Sequence, residues 1–178
     1  MATWLIVLII ILAVVVILFF GMVIYTAAYT THPRKTPMAY GWRHEMAKDF
    51  VKGHDMNPSS VYTITTEDKY VLHASFLPAY EYMEEYGRID EYDYKNPKTH
   101  LSEGPKAPEG YRSEDGLDNC NGQKFVIISH GYTYNRHGSM KYATIFRKNG
   151  YNCIVYDDRS HGENVRTLTT FGRDESKD

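Results

Sequence analysis

Hydrophobic positions crowd the start of the chain. From Trp4 to Tyr25 the residues are almost all Leu, Ile, Val, Phe, Ala or Met, and the first 33 positions hold no Asp, Glu, Lys or Arg. Wound as one α-helix, this run spans roughly 33 Å, enough for the hydrocarbon core of a bilayer. The pattern predicts a single transmembrane helix within an anchor of residues 1–33, with Trp4 at one interface and Tyr25 and Tyr29 at the other. A cleaved signal peptide fits worse. Met1-Ala2-Thr3 carries no Lys or Arg, the apolar run exceeds about 15 residues, and its end is rich in large side chains. Arg34, Lys35 and Arg43 follow the helix while only the α-amino group precedes it, which predicts a cytoplasmic soluble part.

Residues 34–60 read as a juxtamembrane helix and linker. After the breaker Pro33-Arg34-Lys35-Thr36-Pro37, the stretch Met38 to Val51 places Trp42, Met46 and Phe50 four apart, the spacing of a short amphipathic helix lying near the membrane surface. Val61 to Thr66 alternates and is β-branched, Glu67-Asp68-Lys69 is a turn, and Tyr70 to Leu77 alternates again, which predicts a hairpin with its polar face outward. Phe125 to Ser129 is a continuous apolar run suited to a strand buried on both faces, and Tyr151 to Tyr156 is a second. Between them Met140, Tyr142, Ala143, Ile145 and Phe146 recur at helical spacing. Ser139 is the candidate N-cap, Arg147 and Lys148 complement the helix dipole, and Gly150 suits the left-handed position after the helix. These elements make one βαβ unit, so the expected class is α/β. A right-handed crossover brings the loops that begin at His130 and Asp157 to one crevice.

Charge separates one segment from the rest. Residues 79–123 hold 11 of the 22 acidic residues, 5 of the 20 basic ones and six tyrosines, broken by Pro97, Pro105, Pro108 and five glycines. An irregular, solvated, acidic Tyr-rich insertion is expected there, with one helical turn around Tyr82 to Tyr86. The formal charge of the whole chain is -2, which excludes a strongly basic nucleic-acid binder, so no nucleic-acid partner is expected. Two cysteines cannot supply a disulfide framework or a four-ligand zinc site, and Cys120, with no cation nearer than Lys124, reads as a spectator. The sequence has no G-x-G-x-x-G, Walker A or C-x-x-C pattern, and His130, Asp157 and His161 lack a regular ligand spacing. Neither a cofactor nor a metal is expected.

The two loops read Ser129-His130-Gly131-Tyr132-Thr133-Tyr134-Asn135 and Asp157-Asp158-Arg159-Ser160-His161-Gly162. In that order and spacing they resemble the α/β-hydrolase superfamily, in its serine aminopeptidase-like and lysophospholipase-like branch. The resemblance covers the hairpin from Val61 and the stretch from Lys124 to about Glu175. It implies a partial α/β-hydrolase domain over residues 61–178, interrupted by the 79–123 insertion, and an oxyanion hole to which Tyr132 contributes its backbone N–H. Gly131 is expected to let the chain turn sharply and His130 to support the loop from beneath. Asp157 and Arg159 are expected to form a charge-assisted pair that ties down the second turn together with His161 and Gly162.

A serine nucleophile requires the elbow Gly-x-Ser-x-Gly, and none of the nine serines has Gly at both flanking positions. The superfamily order of Ser, then Asp or Glu, then His places all three after the second strand. The expectation is therefore the N-terminal part of a membrane-anchored serine hydrolase, cut short before its elbow. The complete protein would cleave an ester, amide or peptide bond of a small-molecule or peptide substrate through an acyl-enzyme. The alternative is a noncatalytic truncated product or a membrane-tethered interaction module using the acidic insertion. In cells, the protein should resist extraction by alkaline carbonate, and protease added outside intact cells should leave the soluble part untrimmed.

Overall fold

The computed structural model describes residues 2–32, 34–105 and 123–178. Helix α1 (Ala2–Thr31) contains a stretch, Thr3–Thr31, long and apolar enough to cross a membrane. Its side chains are exposed from Thr3 to Tyr29, so no surface of the described residues covers them. The helix runs on past Tyr25, where Thr26, Thr30 and Thr31 fold their hydroxyls back onto main-chain carbonyls. Thr26 donates to Met22 O at 2.8 Å and Thr31 to Ala27 O at 2.8 Å.

Helix α2 (Met38–Met46) starts directly after Pro37 and stops short of the expected Val51, leaving Phe50 51% exposed. It buries Met38, Gly41 and Glu45. Strands β1 (Ser60–Thr65) and β2 (Val71–Leu77) form the hairpin, with Val61 opposite Ser75 and Ile64 opposite Leu72. The expected single turn is present as α3 (Met83–Tyr86), preceded by a 3-10 turn at Tyr80–Tyr82. Strand β3 (Lys124–Ile128), helix α4 (Arg136–Lys148) and strand β4 (Tyr151–Tyr156) complete the fold.

The four strands make one mixed sheet in the order β1-β2-β4-β3. β3 and β4 are parallel, as a βαβ unit requires, whereas β2 runs antiparallel to both β1 and β4. The chain is an α/β protein. Because Ala74 pairs with Tyr156, the start of β2 and its hairpin turn lie beside the end of β4. One face of the sheet carries the main core of Val51, Met56, Leu77, Ile128, Met140, Ala143, Cys153 and Val155, with Trp42 and Met46 against it. The opposite face holds Tyr62, Ala74 and Phe76, flanked by Tyr86, Phe125, Ile154 and Tyr156.

Several expectations are corrected. Strand β3 is not buried on both faces: it is an end strand and Ile127 is 68% exposed. Helix α4 begins at Arg136 and not after Ser139, whose buried hydroxyl instead donates to Arg136 O at 2.9 Å. The inward face of α4 is Arg136, Met140, Ala143 and Arg147, spaced i, i+4, i+7, i+11, while Tyr142 and Ile145 point outward. Arg147 turns inward too. Its Nε donates to Pro78 O at 2.6 Å and its guanidinium lies 4.3 Å from the Tyr80 ring, so it clamps the start of the insertion. Gly150, at φ 77, takes the left-handed position expected of it.

The described part of the insertion is not simply solvated. Ala79, Tyr92 and Pro97 are buried, and the rings of Tyr92 and Tyr94 sit 5.3 and 5.6 Å from Trp42. Residues 106–122, with Cys120, lie outside the described residues. Tyrosine rings supply apolar area that the segment's charge count conceals.

The register of α4 gives a direct test by urea unfolding of the detergent-solubilised chain. Met140→Ala, at a site with no exposure, should cost about 2–5 kcal/mol. Tyr142→Ala, two positions on, should change stability by no more than about 0.5 kcal/mol.

Candidate functional site

The parallel pairing of β3 and β4 sets their carboxyl ends side by side, with Ile128 opposite Val155. The chain then leaves through two loops whose geometry is governed by Asp157. This carboxylate is fully buried. Oδ1 accepts the backbone N–H of Arg136 at 2.7 Å, capping the first turn of α4 from outside the helix, and Oδ2 accepts the Arg136 guanidinium and the Glu163 N–H. Arg136, also fully buried, donates further to Ser75 Oγ at 3.0 Å and Glu163 Oε2 at 2.5 Å. Burial alone would raise the Asp157 carboxyl, but the charge of Arg136 and the two N–H donors more than offset it and hold it below the usual range. Gly162 is required here: its φ is +48, and a Cβ would lie 2.1 Å from the Asp157 carboxyl carbon.

Two histidines lock the loops to each other by a reciprocal exchange. His130 Nε2 accepts the Asp158 N–H of the second loop at 3.0 Å, so its Nδ1 carries the proton and donates to Gly131 O at 2.8 Å. His161 Nε2 accepts the Thr133 N–H of the first loop at 3.1 Å, and its Nδ1 donates to Arg159 O at 2.8 Å. The rings meet edge to face, 5.1 Å apart. The His161 Nε2 that accepts the Thr133 N–H carries no proton, and burial lowers the His161 pKa accordingly. Asn164 adds a third tie, its Nδ2 donating to Asp158 O at 3.0 Å and its Oδ1 accepting the His73 N–H at 2.9 Å. His130, Asp157 and His161 thus come together, but with their nitrogens and oxygens engaged by the protein.

Two roles read from the sequence are corrected. Arg159 does not pair with Asp157. It holds Asp68 in the hairpin turn through two bonds of 2.7 and 2.6 Å and reaches Asp178 at 2.5 Å. The reason is the β2–β4 pairing, which brings that turn against the end of β4, and Asp68 is driven well below the usual carboxylate range by the guanidinium. Gly131 does not supply the sharp turn. The residue in the left-handed region is Thr133, at φ 65, and a Cβ on Gly131 would meet no atom within 4 Å.

That open space belongs to a cleft of about 370 Å³ lined by Gly131, Tyr132, Tyr134, Glu45, Lys141 and Tyr142, among others. Among the described residues, neither the Gly131 nor the Tyr132 N–H donates to a protein acceptor, and both residues are exposed. The cleft wall is charged. Glu45 is bridged by Lys48 at 2.8 Å and Lys141 at 2.9 Å and accepts from Tyr134 Oη at 3.1 Å. Burial would raise its pKa, but hydrogen bonds from Lys141, Lys48 and His44 hold it at about 2. The serine hydroxyls at the cleft are committed elsewhere, Ser129 to Asp158 at 3.1 Å and Ser139 to Arg136 O. The arrangement can therefore bind and polarise an oxygen, while no serine there faces a histidine base.

Arg136, Glu163 and Asn164 were missed in the sequence. A signal existed: a carboxylate closing a buried strand needs a cation, and Arg136 directly follows the first loop.

No protein-family model matches the chain, and no solved structure does. One relative is the uncharacterized protein YqkD of Bacillus subtilis (strain 168), 40% identical over 53 residues. The match covers 30% of this chain and only 17% of that protein, so the chain spans less than a fifth of its relative's length.

The histidines set a pH dependence. His137, whose Nδ1 meets Met38 O at 3.1 Å and whose Nε2 meets Tyr92 Oη at 2.7 Å, is lowered by burial to about 3. For His137 and His161 the unfolded chain takes up a proton near 6.5 and the folded chain does so only at lower pH. Their stability contribution is whole above 6.5 and is lost as pH falls through the folded values. The urea midpoint should fall from pH 7.5 to pH 5, and His161→Asn should flatten that slope as well as lower the midpoint at pH 7.5.

Proposed function

We propose that the chain is the N-terminal portion of a membrane-anchored serine hydrolase of α/β-hydrolase type, contributing the anchor and half of an oxyanion hole. The observation that carries the reading is the pair of free backbone N–H groups at Gly131 and Tyr132. They stand at the end of a parallel strand, over a cleft, on a loop locked from behind by His130 and His161. In this fold one oxyanion donor comes from the loop between strand β3 and the helix after it. Acyl transfer builds negative charge on a carbonyl oxygen, and rigid donors aimed at it lower the barrier without having to reorganise.

A second feature supports the reading. In the family's sheet the nucleophile strand pairs with the strand that occupies the β3 position. Here β3 ends the sheet with Ile127 bare, and Tyr142 and Ile145 leave the outer face of α4 apolar. A further strand and helix would cover both. The nucleophile, its acid and its histidine base would come from that continuation, which would also shape the pocket for an ester, amide or peptide. The positive flank at Arg34, Lys35 and Arg43 favours a cytoplasmic site.

The direct test is the coding sequence beyond Asp178, which should contain Gly-x-Ser-x-Gly within a few tens of residues; its absence would leave the chain as a tethered module. Residues 1–178 alone should not be labelled by a serine-directed phosphonate, since none of their serines lies in a Gly-x-Ser-x-Gly elbow. In the longer protein, Tyr132→Pro should lower kcat on the order of 10² to 10³-fold by removing one donor. Tyr132→Phe, which keeps the N–H, should change kcat little.

A further inference from the structure

The end of α1 is bonded directly to the site. Thr31 O accepts the Thr169 N–H at 2.9 Å, and Thr30 O accepts the Tyr132 hydroxyl. Thr169 belongs to the stretch 165–173, which reads Val-Arg-Thr-Leu-Thr-Thr-Phe-Gly-Arg. Its three large apolar side chains recur every third residue and are all bare: Val165 is 70% exposed, Leu168 53% and Phe171 67%. The Phe171 ring stacks at 6.3 Å on Tyr132 and so extends the exposed surface to the cleft mouth. Arg166 within this stretch and Arg34, three residues after Thr31, are exposed and have no acidic partner among the described residues.

The level of this surface follows from the helix. If Tyr25 marks the edge of the hydrocarbon, Thr30 and Thr31 lie about 8 Å further out, in the headgroup region of a bilayer. Leu168 and Phe171 flank the residue hydrogen-bonded to Thr31, so they occupy that level too. A bare apolar surface rimmed by unpaired cations and continuous with a membrane-spanning helix is suited to an anionic lipid surface.

We propose that the segment 165–171, with Tyr132, is a second membrane contact that rests on the headgroups of the leaflet on the soluble domain's side and holds the cleft mouth at the bilayer surface. The proposal rests on reading α1 as a membrane span. It is tested on the full chain, in a Cys120→Ser background, in nanodiscs of phosphatidylcholine with or without phosphatidylglycerol. Nitroxide labels are placed at Leu168→Cys, Phe171→Cys, Leu12→Cys and Lys148→Cys, the last at the far end of α4. Collision with dissolved oxygen is compared with collision with a water-soluble nickel chelate.

The labels at 168 and 171 should favour oxygen over chelate several-fold more than the label at 148. Arg166→Glu should reduce that preference in phosphatidylglycerol discs and leave it unchanged in phosphatidylcholine. If the label at 12 is embedded while those at 168 and 171 are as water-exposed as that at 148, the docking surface is wrong and the anchor stands. If the label at 12 is itself in water, both are wrong.

Discussion

A carboxylate without any contact to water ends strand β4, and the structure around it is arranged to keep it ionised. Asp157 is satisfied by the Arg136 guanidinium and by two backbone N–H groups, one of which opens helix α4. An ion in such a place is destabilising unless every lone pair finds a donor, and removing one partner of a buried pair typically costs about 3–5 kcal/mol. Because the donors come from the start of α4 and from the loop beyond β4, satisfying Asp157 fixes where both begin. Gly162 is the accompanying constraint: a side chain there would occupy the space of the carboxylate.

The histidine exchange builds on that frame. His130 and His161 each bind a carbonyl of their own loop and accept an N–H of the other, so neither loop can shift without breaking bonds in both. The consequence for chemistry is a loop tied in place around Gly131 and Tyr132, whose N–H groups have no protein acceptor among the described residues. Unspent donors on a fixed loop are what electrostatic stabilisation of a reacting oxygen requires.

The connection between α1 and the domain is short, and Lys35 and Thr36 within it are bonded to the two loops. Thr36 donates through its N–H and its hydroxyl to Thr133 O at 3.1 and 2.7 Å, and Asn135 Nδ2 donates to Thr36 O at 2.9 Å. Lys35 reaches Asn164 O, and partial burial lowers its pKa. The residues that receive this connection belong to the two loops. Hydrogen bonds involving Tyr132, Thr133 and Thr169 thus tie the end of α1 and the residues after it to the loops beside the cleft.

Local sequence determined the elements whose identity is a matter of periodicity. The apolar run of α1, the alternating hairpin and the strand-helix-strand unit were legible because burial of a stripe or a face leaves a period in the chain. The two loops were legible as a pair through their residue types. What the sequence could not determine were the partners across the fold, since these depend on which strands lie side by side. Arg159 was matched to Asp157, its neighbour in sequence, but the antiparallel β2–β4 pairing gave it Asp68, while the parallel β3–β4 pairing gave Asp157 the Arg136 at the start of α4, which a helix-face reading had overlooked. The inward face of α4 was misread for a related reason: two buried arginines carry no hydrophobic signal, although their aliphatic stems and satisfied guanidinium groups fill the interior as apolar residues would. Tertiary structure alone decided these pairings, because the energy of a buried charge depends on the donors around it and not on the residues beside it in the chain.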